Sequence, residues 1–177
     1  MLCGHGLQIR AIVYETFVHI RAIGLFKLAL MIYSLLKNNE INIGSNLISF
    51  PSETKIDKIL SSEVCIWFST CPSEEGLDWS KIETHQIWKN RCDNNPSELF
   101  CYDKKGVLKW KFVEQQVIGF GLIIPELKKK EEFITPEHYK KYIEKFRGME
   151  LLEVYAGNFR FILNAETEEI YDKMESR

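Results

Sequence analysis

Four histidines and five cysteines are the residues of this 177-residue chain best suited to bond-making or metal chemistry. Cys71, His85, Cys92 and Cys101 combine thiolate and imidazole, the ligands zinc prefers. Their spacings of fourteen, seven and nine residues lack the tight ligand pair of a compact zinc module. Cys3 and His5 are closer together but lack evident third and fourth ligands, so the expectation is no metal and no cofactor. His85 stands near Glu83 and His138 beside Glu137, two imidazole–carboxylate combinations able to move a proton. A phosphodiesterase or nuclease would need such groups to converge on one phosphate, which spacing alone does not show. Cys65 and Cys71 lack the local histidine that would turn either thiol into a nucleophile. Gly119-Phe120-Gly121 has Ile124 where a dinucleotide-binding loop needs its third glycine, and no helix start follows. No residue is therefore assigned as catalytic, and a small histidine-dependent hydrolase or nuclease stands as the alternative.

Aromatic and acidic residues give the stronger signal. Trp67, Trp79, Trp88 and Trp110, with Tyr102, Tyr155 and Tyr171, exceed what a minimal core requires, and aromatic side chains are the usual anchors of protein interfaces. Two acidic stretches accompany them, Ser73 to Asp78 and Glu166 to Glu169 followed by Asp172. Carboxylates beside aromatics suit a protein that covers a basic active site, because they complement phosphate-binding charges and speed association. The expected protein-binding residues are Glu74, Glu75, Asp78, Trp79, Glu166, Glu168, Glu169 and Tyr171. The expected function is a non-enzymatic inhibitor or immunity-type protein that neutralises a basic toxin domain, such as a nuclease, by blocking its active site.

Composition bounds the alternatives. A formal charge of −2 offers no electrostatic footprint for direct nucleic-acid binding. The densest basic run, Lys128-Lys129-Lys130, is flanked by Glu126, Glu131 and Glu132 and reads as a solvated loop. The odd cysteine count without a framework fits a reducing cytoplasm. Ala22 to Leu36 is apolar, but its fifteen residues include Lys27, whereas a spanning helix needs about twenty. It reads as a buried core helix; a membrane-associated or oligomeric protein using the 25–36 helix is a further alternative.

These residues must be positioned by a fold. Ile9 to Ile20 and Leu25 to Leu36 repeat apolar residues at helical spacing, giving a helical N-terminal region over 1–37. Over 46–177, a strand is expected at Leu47 to Phe50, a helix from Glu53 to Leu60 capped by Ser52, and a strand at Val64 to Ser69. Asp78 is expected to cap a helix from Trp79 to Asn90. Leu99 to Tyr102 and Val107 to Phe112 form a hairpin across Gly106. Val117 to Ile124, almost wholly apolar, is expected to be buried on both faces or central in its sheet, and Val107 to Pro125 to be the stretch around which the chain is organised. Thr135-Pro136 starts a helix that Gly148 ends. Leu151 to Tyr155 and Phe159 to Leu163 form a hairpin, with a last short strand near Ile170 and Tyr171. The whole reads as one α+β domain, 1–177: an antiparallel sheet of five or six strands with helices mostly on one face.

Overall fold

Strand β5 (Cys65–Pro72) is the one the molecule is built around, and its sequence shows why. Successive strand residues point to opposite faces. In CIWFSTCP both alternating sets are apolar near the start: Cys65 and Trp67 on one side, Ile66 and Phe68 on the other, all fully buried. A strand of that kind needs cover on both faces. The computed structural model, which describes residues 33–175, supplies it with three antiparallel sheets.

The first sheet holds β1 (Tyr33–Lys37), β2 (Glu40–Ile43) and β3 (Asn46–Ser49) in that order. The second has the order β4 (Thr54–Ser61), β5, β6 (Glu98–Asp103), β7 (Leu108–Lys111). The third runs β11 (Ile170–Glu175), β10 (Phe159–Asn164), β9 (Leu151–Ala156), β8 (Val117–Ile123). On one side of the second sheet, Ile66, Phe68, Phe100 and Tyr102 pack with Ile41 and Ile43 of the first. On the other, Trp67, Cys101 and Trp110 pack with Phe120, Leu152, Val154 and Phe161 of the third. The indole N–H of Trp67 donates to the Ala165 carbonyl at 2.7 Å, and that of Trp110 to the Glu166 carbonyl at 3.1 Å. Both indoles are thus satisfied by one turn of the third sheet, which fixes the two sheets against each other.

The α+β class holds, but three sheets replace the single sheet of five or six strands. The two helices also attach to different places. Helix α1 (Glu83–Asn94) follows β5, and α2 (Pro136–Phe146) packs Phe146 against Tyr171 of β11 at 5.3 Å. The expected N-terminal helices fall outside the described residues except at their end, where Tyr33–Lys37 is a strand rather than the tail of a 25–36 helix. Among the described residues no helix is long and apolar enough to cross a membrane.

Two further corrections each fall on a strand that carries a bulge. In place of the helix expected from Glu53 to Leu60 stands strand β4, whose pairing with β5 shifts between Ile56 and Lys58, so Asp57 bulges. One extra residue puts Ile56 and Ile59, three apart, on the same face, which imitates the spacing of a helix. Val117 to Ile123 is likewise an edge strand, not a central one, with β9 as its neighbour. A bulge at Ile118 places Val117 and Phe120 in the core and leaves Ile118 72% exposed. Lys58 donates to the Phe120 carbonyl at 2.6 Å, so a lysine occupies part of the open edge.

Local chemistry accounts for the turns and for α2. Gly106 has φ +81°, and a Cβ there would lie 2.5 Å from the Ile43 carbonyl, so the turn between β6 and β7 seats tightly on the first sheet. Asn46 completes that seat by donating to the Lys105 carbonyl at 2.9 Å. At the start of α2, the Thr135 hydroxyl accepts from the His138 amide at 3.2 Å with Pro136 in the first turn. At its end the Gly148 amide donates to Glu126 at 2.6 Å, which holds that carboxyl below its usual range.

Candidate functional site

The segment from Ser73 to Asn94 leaves the end of β5 as a loop and returns as α1. Asp78 does not cap that helix. Its carboxylate accepts from the Ser80 hydroxyl at 2.6 Å and the Ser80 amide at 3.2 Å, closing a local turn and lowering its pKa through those two bonds. The Asp78 carbonyl accepts from the Thr84 hydroxyl at 2.5 Å, and α1 starts at Glu83. Thr84 is the residue of α1 that is buried. The helix carries no continuous apolar stripe at i, i+3, i+4, which is why its outward side keeps apolar groups in water.

Trp79 is 44% exposed and meets two side chains of the helix edge-on, His85 at 5.6 Å and Trp88 at 6.0 Å between ring centroids. Ile82, at the helix start, is 89% exposed, and Ile87 is exposed as well. Arg91, half-buried beneath the loop, fixes its shape: the guanidinium donates to the Ser73 carbonyl and, at 3.0 Å, to the Glu75 carbonyl. A second guanidinium nitrogen lies 3.9 Å from Glu53 at the start of β4. Glu74 and Glu75, on the loop that Arg91 holds, are exposed. Ile82, Trp88 and Arg91 belong to this surface and are absent from the residues expected from sequence. The signal that points to them is the missing apolar stripe between Glu83 and Asn94, with Ile87 exposed and Trp88 only half-buried.

The second acidic stretch has a different setting. Glu166 pairs with Lys109 at 2.6 Å, and its carbonyl takes the Trp110 indole. Asn164 accepts from the Glu166 and Thr167 amides at 2.8 and 3.1 Å. Glu168 adopts φ +65°, and its carboxyl is pushed up by partial burial and then by Glu114. Glu169 is exposed. Tyr171 meets the Phe146 ring at a tilt, accepts from Asn164 at 3.2 Å and has Lys145 5.6 Å from its ring centre. This turn lies over Trp67 near the start of β5, whereas Ser73 leaves its end, about 17 Å away along five residues of strand. No hydrogen bond or ion pair among the described residues joins the two stretches.

The remaining chemistry is dispersed. His85 lies on α1 and His138 on α2, and among the described residues His85 packs against Trp79 while the His138 amide bonds Thr135. Cys65 and Cys101 are buried beside each other, and burial raises both thiol pKa values. Cys71 and Cys92 are half-buried, and burial raises the Cys71 thiol too, which disfavours the nucleophilic thiolate. Among the described residues no three His, Cys, Asp or Glu side chains converge as ligands for a metal ion. Comparison of the chain with known protein families, with curated proteins and with solved structures finds no match in any of the three.

Proposed function

We propose that this chain is a non-enzymatic protein-binding module of the inhibitor or immunity type, acting by covering a functional surface of another protein. The observation that carries the proposal is the α1 surface: a twelve-residue helix whose buried residue is Thr84 and whose Ile87 is exposed, preceded by the exposed Trp79 and Ile82. Helix stability in a folded protein comes mainly from burying an apolar face. Here large apolar groups stand partly or wholly outside, and burying the most exposed, Ile82, against a partner would recover up to about 1.5–3 kcal/mol, with less from the half-exposed Trp79 and Ile87. A tryptophan standing beside carboxylates is also the composition of an interface centre and its polar rim.

The test is affinity capture of the tagged full chain from lysate of its source cells, run beside a Trp79→Ala/Ile82→Ser variant. The expected outcome is a stoichiometric partner with the parent chain that the variant loses while retaining the parent's Tm. Recovery of the chain alone, at monomer mass, overturns the proposal.

A further inference from the structure

Charge on the α1 surface says what kind of partner would cover it. Between Ser73 and Trp88 stand four carboxylates, Glu74, Glu75, Asp78 and Glu83, against one lysine, Lys81. Lys81 is taken by Asp78 at 3.5 Å, and Lys89 stands one residue past Trp88. Elsewhere some exposed acids, among them Asp57, Glu63, Asp93, Glu131 and Asp172, also lack an ion pair among the described residues, while others are matched: Glu132 with Lys128, Glu137 with Lys141, Glu144 with Lys140 and Glu166 with Lys109. Glu74, Glu75 and Glu83 have no such pairing among the described residues. What distinguishes this segment is that its unpaired acids share the stretch 73–88 with the exposed Trp79, Ile82 and Ile87. They are also held in place in advance: Arg91, 12% exposed at its side chain, clamps the carbonyls on both sides of Glu74. A loop fixed before binding loses less conformational freedom when it meets its partner.

The geometry points to a docking surface for a cationic protein segment, whose arginine or lysine side chains meet Glu74, Glu75 and Glu83 and lie over the exposed face of Trp79, with an apolar residue against Ile82. Arginine suits the site best, since a guanidinium stacks on an indole and pairs with a carboxylate through one planar group. This inference rests on the protein-binding reading above. It assigns the docking role to the Ser73–Trp88 surface and not to the Glu166 turn, whose first carboxylate is already paired and whose carbonyl is already occupied.

The test titrates the full chain with a nona-arginine peptide, and with a nona-glutamate peptide as control, following tryptophan fluorescence. Nona-arginine is expected to shift the emission at about 50 mM salt and to lose about tenfold in affinity by about 300 mM, as screening of exposed charges requires. The Glu74→Gln/Glu75→Gln/Glu83→Gln variant should bind about fivefold more weakly or worse with an unchanged Tm, whereas Glu166→Gln/Glu169→Gln should bind like the parent. Equal binding by parent and triple variant overturns the inference, and so does absence of binding at low salt. Lysate capture separates the two levels. A partner lost by Trp79→Ala/Ile82→Ser but kept by the triple glutamine variant leaves the protein-binding reading standing and removes the cationic partner; no partner at all removes both.

Discussion

Trp67 and Trp79 lie twelve residues apart and meet opposite fates. Trp67 is fully buried, with both sheets around it and its indole N–H on the Ala165 carbonyl. Trp79 is close to half exposed, and its ring contacts come from the neighbouring helix, His85 and Trp88. The first sits in a strand whose two alternating sets of side chains are apolar, and the third sheet, which covers the set holding Cys65 and Trp67, encloses it. The second precedes a helix with no apolar stripe, and no element is obliged to cover it. The same residue type is therefore a structural keystone in one place and an available contact in the other.

Substitutions sharpen that contrast, and the largest effect belongs to the core. Trp67→Ala should cost about 3–5 kcal/mol, the usual penalty for emptying a large buried site, and it also strips the Ala165 carbonyl of its donor. Urea unfolding should show that loss as a fall in midpoint with little change in slope. Gly106→Ala comes next, at about 2 kcal/mol or more, because the residue is left-handed and its new Cβ would press on the Ile43 carbonyl; the same denaturation measures it. Glu168→Gly should act in the opposite sense, stabilising by about 0.5 kcal/mol as the left-handed position receives its preferred residue. That gain has a pH dependence of known sign. The Glu168 carboxyl titrates above its usual value in the fold, so its ionised form is the disfavoured one there. The parent is therefore penalised above that pKa and not below the ordinary glutamate value near 4, and the gain should be larger at pH 7 than at about pH 4. The smallest expected change is Trp79→Ala, within about 0.5 kcal/mol of the parent by the same unfolding assay. A loss of 2 kcal/mol or more there would make Trp79 a core residue and erase the comparison.

Much of the local architecture is legible in the sequence. The hairpins at Gly106 and Gly157, the Thr135-Pro136 start and Gly148 end of α2, and the last strand at Ile170 all follow from residues within a few positions of the feature. Bulges account for part of the difference, while the unmade cap at Asp78 and the division into three sheets have other causes. Ile56 with Ile59, and Val117 with Phe120, carry helical spacing on strands because Asp57 and Ile118 each add one residue. The same holds for β7, where a register shift against β6 leaves Leu108 half exposed while Trp110 and Phe112 stay inside. Of the eight residues expected to bind a partner, Glu74, Glu75, Asp78 and Trp79 lie together. Glu166, Glu168, Glu169 and Tyr171 form a separate turn tied to Lys109, Trp110 and Phe146. Spacing along the chain does not carry that division.

By itself, the sequence determined the α+β class, the places where the backbone must turn left-handed and the caps that start and end α2. Each depends on sterics and hydrogen bonds among near neighbours. Only the tertiary structure decided that β5 is central, that β8 is an edge, and that one acidic stretch is tied into the fold while the other stands free beside Trp79. Those outcomes rest on contacts such as Trp67 with Ala165, 98 residues apart, whose free energy exists only once separate sheets have found each other.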